Sequence, residues 1–155
     1  MSGSEPRRLV VDLRSRVRAF RIPEACEREI VAATPPGWET TIVEAETDSF
    51  GDGAQTPSRE SLEAIANAEI YVGYGMPKAL FAAATKLKWT HTATAGVASL
   101  LFPEMMDSAV VITNSAGVVY GAPIAVSGKT ADALSVEVAA FFDAHVDLDL
   151  SGVHD

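Results

Sequence analysis

The chain has 155 residues, of which 48% are hydrophobic, and a formal net charge of −9 at neutral pH. This length suffices for the core of one ordinary domain, and no apolar run reaches the roughly 18 to 20 residues that a membrane span requires. The acidity argues against a nucleic-acid-binding surface, because phosphate binding needs clustered Lys and Arg.

Half of the twelve basic residues lie in the first 21 positions. This basic segment is either a solvated surface or a rim that attracts anions. Its members are Arg7, Arg8, Arg14, Arg16, Arg18 and Arg21.

The single cysteine, Cys26, excludes an internal disulfide and a Cys-rich metal site, and it fits a reducing compartment. We interpret Cys26 as a small packed residue of an early helix. The N-terminal residues contain no apolar stretch long enough for a signal-peptide core, so we expect a cytoplasmic protein.

The first half of the chain predicts two βα units. Leu9 to Leu13 is an apolar run typical of a buried strand, and Pro23 to Ala33 has a helical pattern with Pro in its first turn. Trp38 to Ala45 alternates like a strand, and Ser58 is placed to cap a helix that runs to about Asn67.

The second half continues the alternation, with three further strands separated by two helices. The predicted strands are Glu69 to Val72, Leu87 to Thr92 and Ala109 to Thr113; the predicted helices are Pro77 to Thr85 and Gly96 to Phe102, and a connector starts at Pro103. Such alternation predicts a five-stranded parallel sheet covered by helices on both faces, with ligands outside the carboxyl ends of the strands.

The C-terminal segment contains an amphipathic pattern from Thr130 to about Val146. This helix packs either on the same sheet or on a second subunit, which would make the protein a homodimer. Its apolar face comprises Ala131, Leu134, Val138, Phe141, Phe142 and His145.

Two glycine motifs fail as nucleotide sites. Gly128-Lys129-Thr130 resembles the end of a phosphate-binding loop, but Pro123 stands where that motif needs glycine. Gly73-Tyr74-Gly75 lacks the third glycine of a dinucleotide fingerprint. The histidines, His91, His145 and His154, are too scattered for a metal site, and we interpret His91 as structural.

The fourth predicted strand ends in a turn whose backbone could bind an anion. Successive amides of Ala95, Gly96 and Val97 are able to point out of the sheet where a helix begins, which suits a small carboxylate. The alternative interpretation is an ordinary glycine turn.

Several segments together resemble the D-isomer-specific 2-hydroxyacid dehydrogenases, most closely between residues 66 and 125. They are Leu87-Lys88-Trp89, Thr92 to Val97, Leu100 to Pro103, Val111 to Ser115 and Gly121 to Ala125. The resemblance covers that family's substrate-binding domain and implies a flavodoxin-like, three-layer fold. It also implies that Ala95, Gly96 and Val97 bind the substrate carboxylate, that Tyr74, Gly75 and Met76 line the pocket, and that Asn114 contacts substrate.

The resemblance breaks off after Ala125, where the family continues toward its NAD(P)-binding domain and this chain reads Val126-Ser127-Gly128-Lys129. We therefore divide a single domain into a family-like part (1–125), a junction (126–129) and a C-terminal helix and tail (130–155). The cofactor fingerprint and the family's Arg, Glu and His lie beyond this break, so we expect no cofactor, no metal, no catalytic residue and no turnover by the chain alone.

The resulting hypothesis is a substrate-binding domain that weakly binds a small 2-oxo or 2-hydroxy carboxylate. Two alternatives stay open: a dimerising interaction module without a ligand, and half of a split dehydrogenase whose other half is a separate chain.

Overall fold

The computed structural model describes residues 5–18, 20–48 and 55–115. The strands are β1 (Arg7–Asp12), β2 (Trp38–Ile42), β3 (Ile70–Gly73), β4 (Trp89–Thr92) and β5 (Val111–Asn114). The helices are α1 (Glu24–Ala33), α2 (Arg59–Ile65), α3 (Lys78–Ala83) and α4 (Pro103–Met106), with a 3₁₀ turn at Ala98–Leu100. Within these residues, no helix has the length and apolar character needed to cross a membrane. The predicted helix at 130–146 and the junction at 126–129 lie outside them.

The five strands form one parallel sheet in the order β2-β1-β3-β4-β5. This is the strand order of flavodoxin-like folds, in which successive units spread from β1 in both directions. Asp12 at the end of β1 lies beside Gly73 at the end of β3, at the point where the direction of winding changes. The predicted α/β fold class is confirmed.

The sheet separates two cores, because alternate side chains of a strand point to opposite faces. On one face, Leu9 and Val11 pack with Cys26 and Ile30 of α1. On the other face, Val10 belongs to a cluster with Ile65 of α2, Leu80 of α3 and Met105 of α4. Helices therefore cover both faces, as predicted, and Cys26 is a buried core residue, also as predicted.

The β2–α2 connection shows why β2 is shorter than predicted. The expected strand reached Ala45, but the amides of Glu44 and Ala45 donate to the Glu60 carboxylate at 2.8 and 2.9 Å. These amides are therefore not available for hydrogen bonds within the sheet, and β2 ends at Ile42. The predicted cap is confirmed, since Ser58 Oγ accepts from the Ser61 amide at 2.9 Å at the start of α2.

The predicted helix from Gly96 to Phe102 is wrong. The chain forms only the short 3₁₀ turn there, and Phe102 is extended, as expected for a residue before proline. Pro103 opens α4 and is not the start of a connector. A proline does not continue a preceding helix, because it has no N–H to donate. Its fixed φ suits the first position of a new helix.

Candidate functional site

The loops that carry the predicted site residues lie along one edge of the sheet. Gly73 of β3 pairs with Thr92 of β4, and Thr92 pairs with Asn114 of β5. The three carboxyl ends are therefore neighbours, and the structure brings the 74–76 and 95–97 loops and Asn114 to the same edge. Parallel α/β sheets bind their ligands at this edge.

Three successive carbonyl groups of the turn after β4 are held by hydrogen bonds. The Thr94 carbonyl accepts from the Ser115 amide at 3.2 Å, and the Ala95 carbonyl accepts from Asn114 Nδ2 at 2.6 Å. The Gly96 carbonyl accepts from Thr94 Oγ1 at 2.9 Å. Because a trans peptide places N–H opposite C=O, the amides of the three following residues point away from these donors.

Those three amides are unpaired within the described part of the chain. Neither Ala95 nor Gly96 nor Val97 donates a backbone hydrogen bond there. Gly96 is exposed to solvent, and Ala95 and Val97 are partly exposed. No long helix begins at this point, so the expected helix dipole does not contribute. The turn instead presents three consecutive amides without a partner among the described residues, and successive free backbone N–H groups are able to bind anions.

The 74–76 loop contributes differently from the expectation. The Tyr74 hydroxyl donates to the Phe20 carbonyl in the β1–α1 loop, and burial raises the pKa of Tyr74 above its usual value, so this proton is retained. Met76 is fully buried in the core beneath α2 and α3. Gly75, between these two residues in the sequence, is also buried. This loop thus presents no free polar side chain toward the turn.

His91 lies in a buried chain of hydrogen bonds between β4 and β5. Trp89 Nε1 donates to Thr113 Oγ1 at 2.8 Å, and Thr113 Oγ1 lies 2.9 Å from His91 Nδ1. His91 Nε2 lies 3.2 Å from Ser115 Oγ, which donates to the Thr92 carbonyl at 3.5 Å.

Only the first direction in this chain is fixed, because an indole N–H can only donate, so Thr113 Oγ1 accepts from Trp89. The directions of the two bonds at His91 are set by which ring nitrogen carries the proton. Burial lowers the pKa of His91 to about 4, and the ring is neutral at pH 7. Both ring nitrogens of this buried, neutral His91 have hydrogen-bond partners, which agrees with the predicted structural role.

The N-terminal arginines are mostly engaged with acidic side chains. Arg7 pairs with Glu69 at 2.9 Å, and Arg14 pairs with Glu27 at 2.8 Å and also with Glu44. Arg8 and Arg21 pair with Glu39 and Glu46. Much of the charge of the basic segment is thus neutralised within the described residues.

A shallow groove of about 490 Å³ lies at the opposite, amino-terminal edge of the strands, between α3 and β5. It contains none of the predicted site residues. Two charged residues that line the groove, Lys88 and Glu69, form an ion pair with each other, since Lys88 Nζ lies 3.0 Å from the Glu69 carboxylate.

The prediction from sequence missed Asp12, the last residue of β1. Its side chain is 3% exposed, and its Oδ2 accepts from Ser61 Oγ at 2.8 Å and from the Tyr71 hydroxyl at 3.0 Å. Its Oδ1 is buried and has no hydrogen-bond partner among the described residues. Burial raises the pKa of Asp12 above its usual value. The sequence signal for Asp12 was an acidic residue directly after the apolar residues of a predicted buried strand.

No protein-family model matches this chain, and no curated protein shows a significant match to it.

Proposed function

We propose that the chain binds a small 2-oxo or 2-hydroxy carboxylate, such as pyruvate or glyoxylate, at the turn after β4. The observation that carries this proposal is the set of three consecutive amides of Ala95, Gly96 and Val97 that have no partner within residues 5–18, 20–48 and 55–115, with all three preceding carbonyls held in place. A carboxylate has lone pairs for several such donors. The resemblance to the D-2-hydroxyacid dehydrogenases supports the same assignment.

The expected affinity is low. Each hydrogen bond to a charged group contributes a net amount of about 1.5 kcal/mol, so three of them correspond to a Kd of about 1 mM. The held carbonyls matter because they orient the amides before the ligand arrives, which lowers the entropy cost of binding. We place this activity in the cytoplasm, where the single thiol of Cys26 would stay reduced.

Pyruvate at millimolar concentration is expected to shift the backbone amide signals of Ala95, Gly96 and Val97 in ¹H–¹⁵N spectra, because each N–H gains a charged acceptor. The neutral isostere pyruvamide, at the same concentration, should leave these signals in place. Sodium chloride at matched ionic strength gives the background. Equal shifts with all three solutes, or shifts confined to other residues, would contradict the assignment.

Replacing Thr94 with valine should weaken pyruvate binding about five-fold, because the Gly96 carbonyl loses its hydroxyl donor at 2.9 Å and one hydrogen bond contributes about 1 kcal/mol. Thr94→Ser keeps the hydroxyl and should bind like the wild type. If valine and serine at this position bind pyruvate equally, the oriented turn is not the binding element.

The chain alone is expected not to oxidise NADH in the presence of pyruvate or glyoxylate. Reduction of a 2-oxo acid needs a general acid beside the new alkoxide, and His91 is buried with hydrogen-bond partners on both ring nitrogens. Consumption of NADH by the purified chain, followed at 340 nm, would instead favour an active dehydrogenase; turnover only after a second protein is added would favour the split enzyme.

A further inference from the structure

Arg16 and Arg18 differ from the other basic residues in the described part of the chain. Of the eleven Lys and Arg residues there, nine form ion pairs with acidic side chains, and only these two form none among the described residues. Both are exposed in the loop between β1 and α1. This loop follows the carboxyl end of β1, at the edge of the sheet that also carries the Ala95–Val97 turn.

Arg16 lies on the side of β1 that faces away from β4. Its amide donates to the Thr47 carbonyl at 2.9 Å, and Ser15 pairs with Thr47 in a parallel bridge. The backbone of Arg16 is therefore tied to the chain that follows β2, and β2 and β4 are separated by β1 and β3. More than two strand spacings, about 10 Å, lie between Arg16 and the end of β4.

Arg18 lies on the other side of β1, over the end of β3. The Phe20 amide donates to the Val17 carbonyl at 2.9 Å, so Arg18 lies within a turn. Tyr74, the residue directly after β3, anchors this turn: its hydroxyl donates to the Phe20 carbonyl, and the two rings meet edge to face with their centroids 6.4 Å apart. The turn that carries Arg18 is thus fixed beside the strand next to β4.

The end of β3 is adjacent to the chain that leads into the Ala95–Val97 turn. The Ala93 amide donates to the Gly73 carbonyl at 2.8 Å, so the two strands leave the sheet about one strand spacing, ~5 Å, apart. A long, flexible arginine side chain and an extended ligand together span such a gap. Residues 73–77 and 92–102 contain no Asp or Glu that would repel an anion between them.

We propose that the ligand of the Ala95–Val97 turn is a dicarboxylate, a 2-oxo or 2-hydroxy acid with a second carboxylate, and that Arg18 binds this second carboxylate. The inference rests on the proposed function of the turn, whose amides hold the first carboxylate. A guanidinium stays protonated and presents paired N–H donors that match the two oxygens of a carboxylate. One unpaired guanidinium balances the one charge by which such an acid exceeds pyruvate.

The test compares 2-oxoglutarate with its 5-methyl ester, which keeps the 2-oxo acid group but lacks the second charge. Binding is followed in ¹H–¹⁵N spectra through the amides of Ala95, Gly96 and Val97 and through the Nε–H group of Arg18. 2-Oxoglutarate should bind about five-fold more tightly than the ester or pyruvate, the gain from one well-formed exposed ion pair, and it alone should shift the Arg18 signal. Equal affinity for the acid and the ester, or an Arg18 signal that stays in place, would overturn the proposal.

Arg18→Gln should reduce the affinity for 2-oxoglutarate to that for the ester and leave pyruvate binding unchanged. Arg16→Gln is the matched control, because it removes the same charge from the same loop on the side of β2, and it should lower the affinity for 2-oxoglutarate by less than about two-fold, as a distant, screened charge does. Equal losses in the two variants would reveal a general effect of charge and overturn the contact with Arg18. A loss of pyruvate binding in Arg18→Gln would do the same, because pyruvate has no second carboxylate.

The dicarboxylate assignment and the proposed function fail in different ways. If the Ala95, Gly96 and Val97 amides respond to none of the three ligands, the carboxylate site is absent and both fail. If these amides respond to all three ligands with equal affinity, the carboxylate site stands and only the role of Arg18 and the dicarboxylate assignment are overturned.

Discussion

Replacing Gly73 with alanine is expected to lower the free energy of unfolding by about 2 to 3 kcal/mol. A Cβ at this position would lie 2.6 Å from Cε1 and Oη and 2.7 Å from Cζ of Tyr71. Tyr71 is 1% exposed and its hydroxyl is bound to Asp12 at 3.0 Å. The ring therefore has no free space to move into, and displacing it both overpacks the core and breaks a buried hydrogen bond.

Urea unfolding of Gly73→Ala measures this loss, and Gly96→Ala is the matched control. A Cβ on Gly96 meets no atom within 4 Å, and its φ lies outside the positive range. The control should therefore be as stable as the wild type or slightly more stable, because alanine restricts the unfolded chain. Equal stability of the two variants would mean that the Tyr71 ring does not lie over Gly73.

Acidification from pH 6.5 to 4 is expected to remove about 3 kcal/mol of stability through His91 alone. Burial lowers the pKa of the folded His91 to about 4, against an ordinary value of 6.5. The unfolded chain therefore binds this proton more tightly than the folded protein does. Stability is complete above pH 6.5, falls as the pH drops through this window, and levels off below about 4.

His91→Gln separates this effect from that of the carboxylates that bind protons on acidification. Glutamine does not titrate, so the wild type should be the more stable protein by about 2 kcal/mol at pH 7.5, and the order should reverse by about pH 4, where the variant should be the more stable by about 1 kcal/mol. An NMR titration of the His91 ring provides a direct check. A ring that titrates near pH 6.5, or an advantage that is constant with pH, would contradict the hydrogen-bond chain from Trp89 to Thr92.

The fold followed from local patterns in the sequence. Apolar runs such as Leu9 to Leu13 and Glu69 to Val72 recur at intervals that leave room for a helix, and this spacing is enough to indicate parallel strands and two covered faces. The observed boundaries differ by one to three residues, as at β1 and β5. Ser58 is placed correctly as a cap because capping depends on residues only three positions apart.

Only the position of the predicted site could be read from the sequence, and its geometry could not, for a physical reason. The turn at Ala95 to Val97 has its own signal, a glycine directly after a strand. Its amides are oriented by Asn114 and Ser115, which are almost twenty residues away in the sequence. The inward burial of Met76 and the engagement of the Tyr74 hydroxyl with Phe20 likewise depend on other elements. Local patterns do not encode such contacts.

The sequence by itself determined the alternation of strands and helices, the parallel sheet and the position of the glycine turn, because each depends on hydrophobic period and turn chemistry within a few residues. Only the tertiary structure decided the order β2-β1-β3-β4-β5 of this sheet, the hydrogen-bond partners of His91, and the burial of Asp12 against Ser61 and Tyr71. The last two depend on contacts between elements that are distant in the sequence, and burial at those contacts lowers the pKa of His91 and raises the pKa of Asp12.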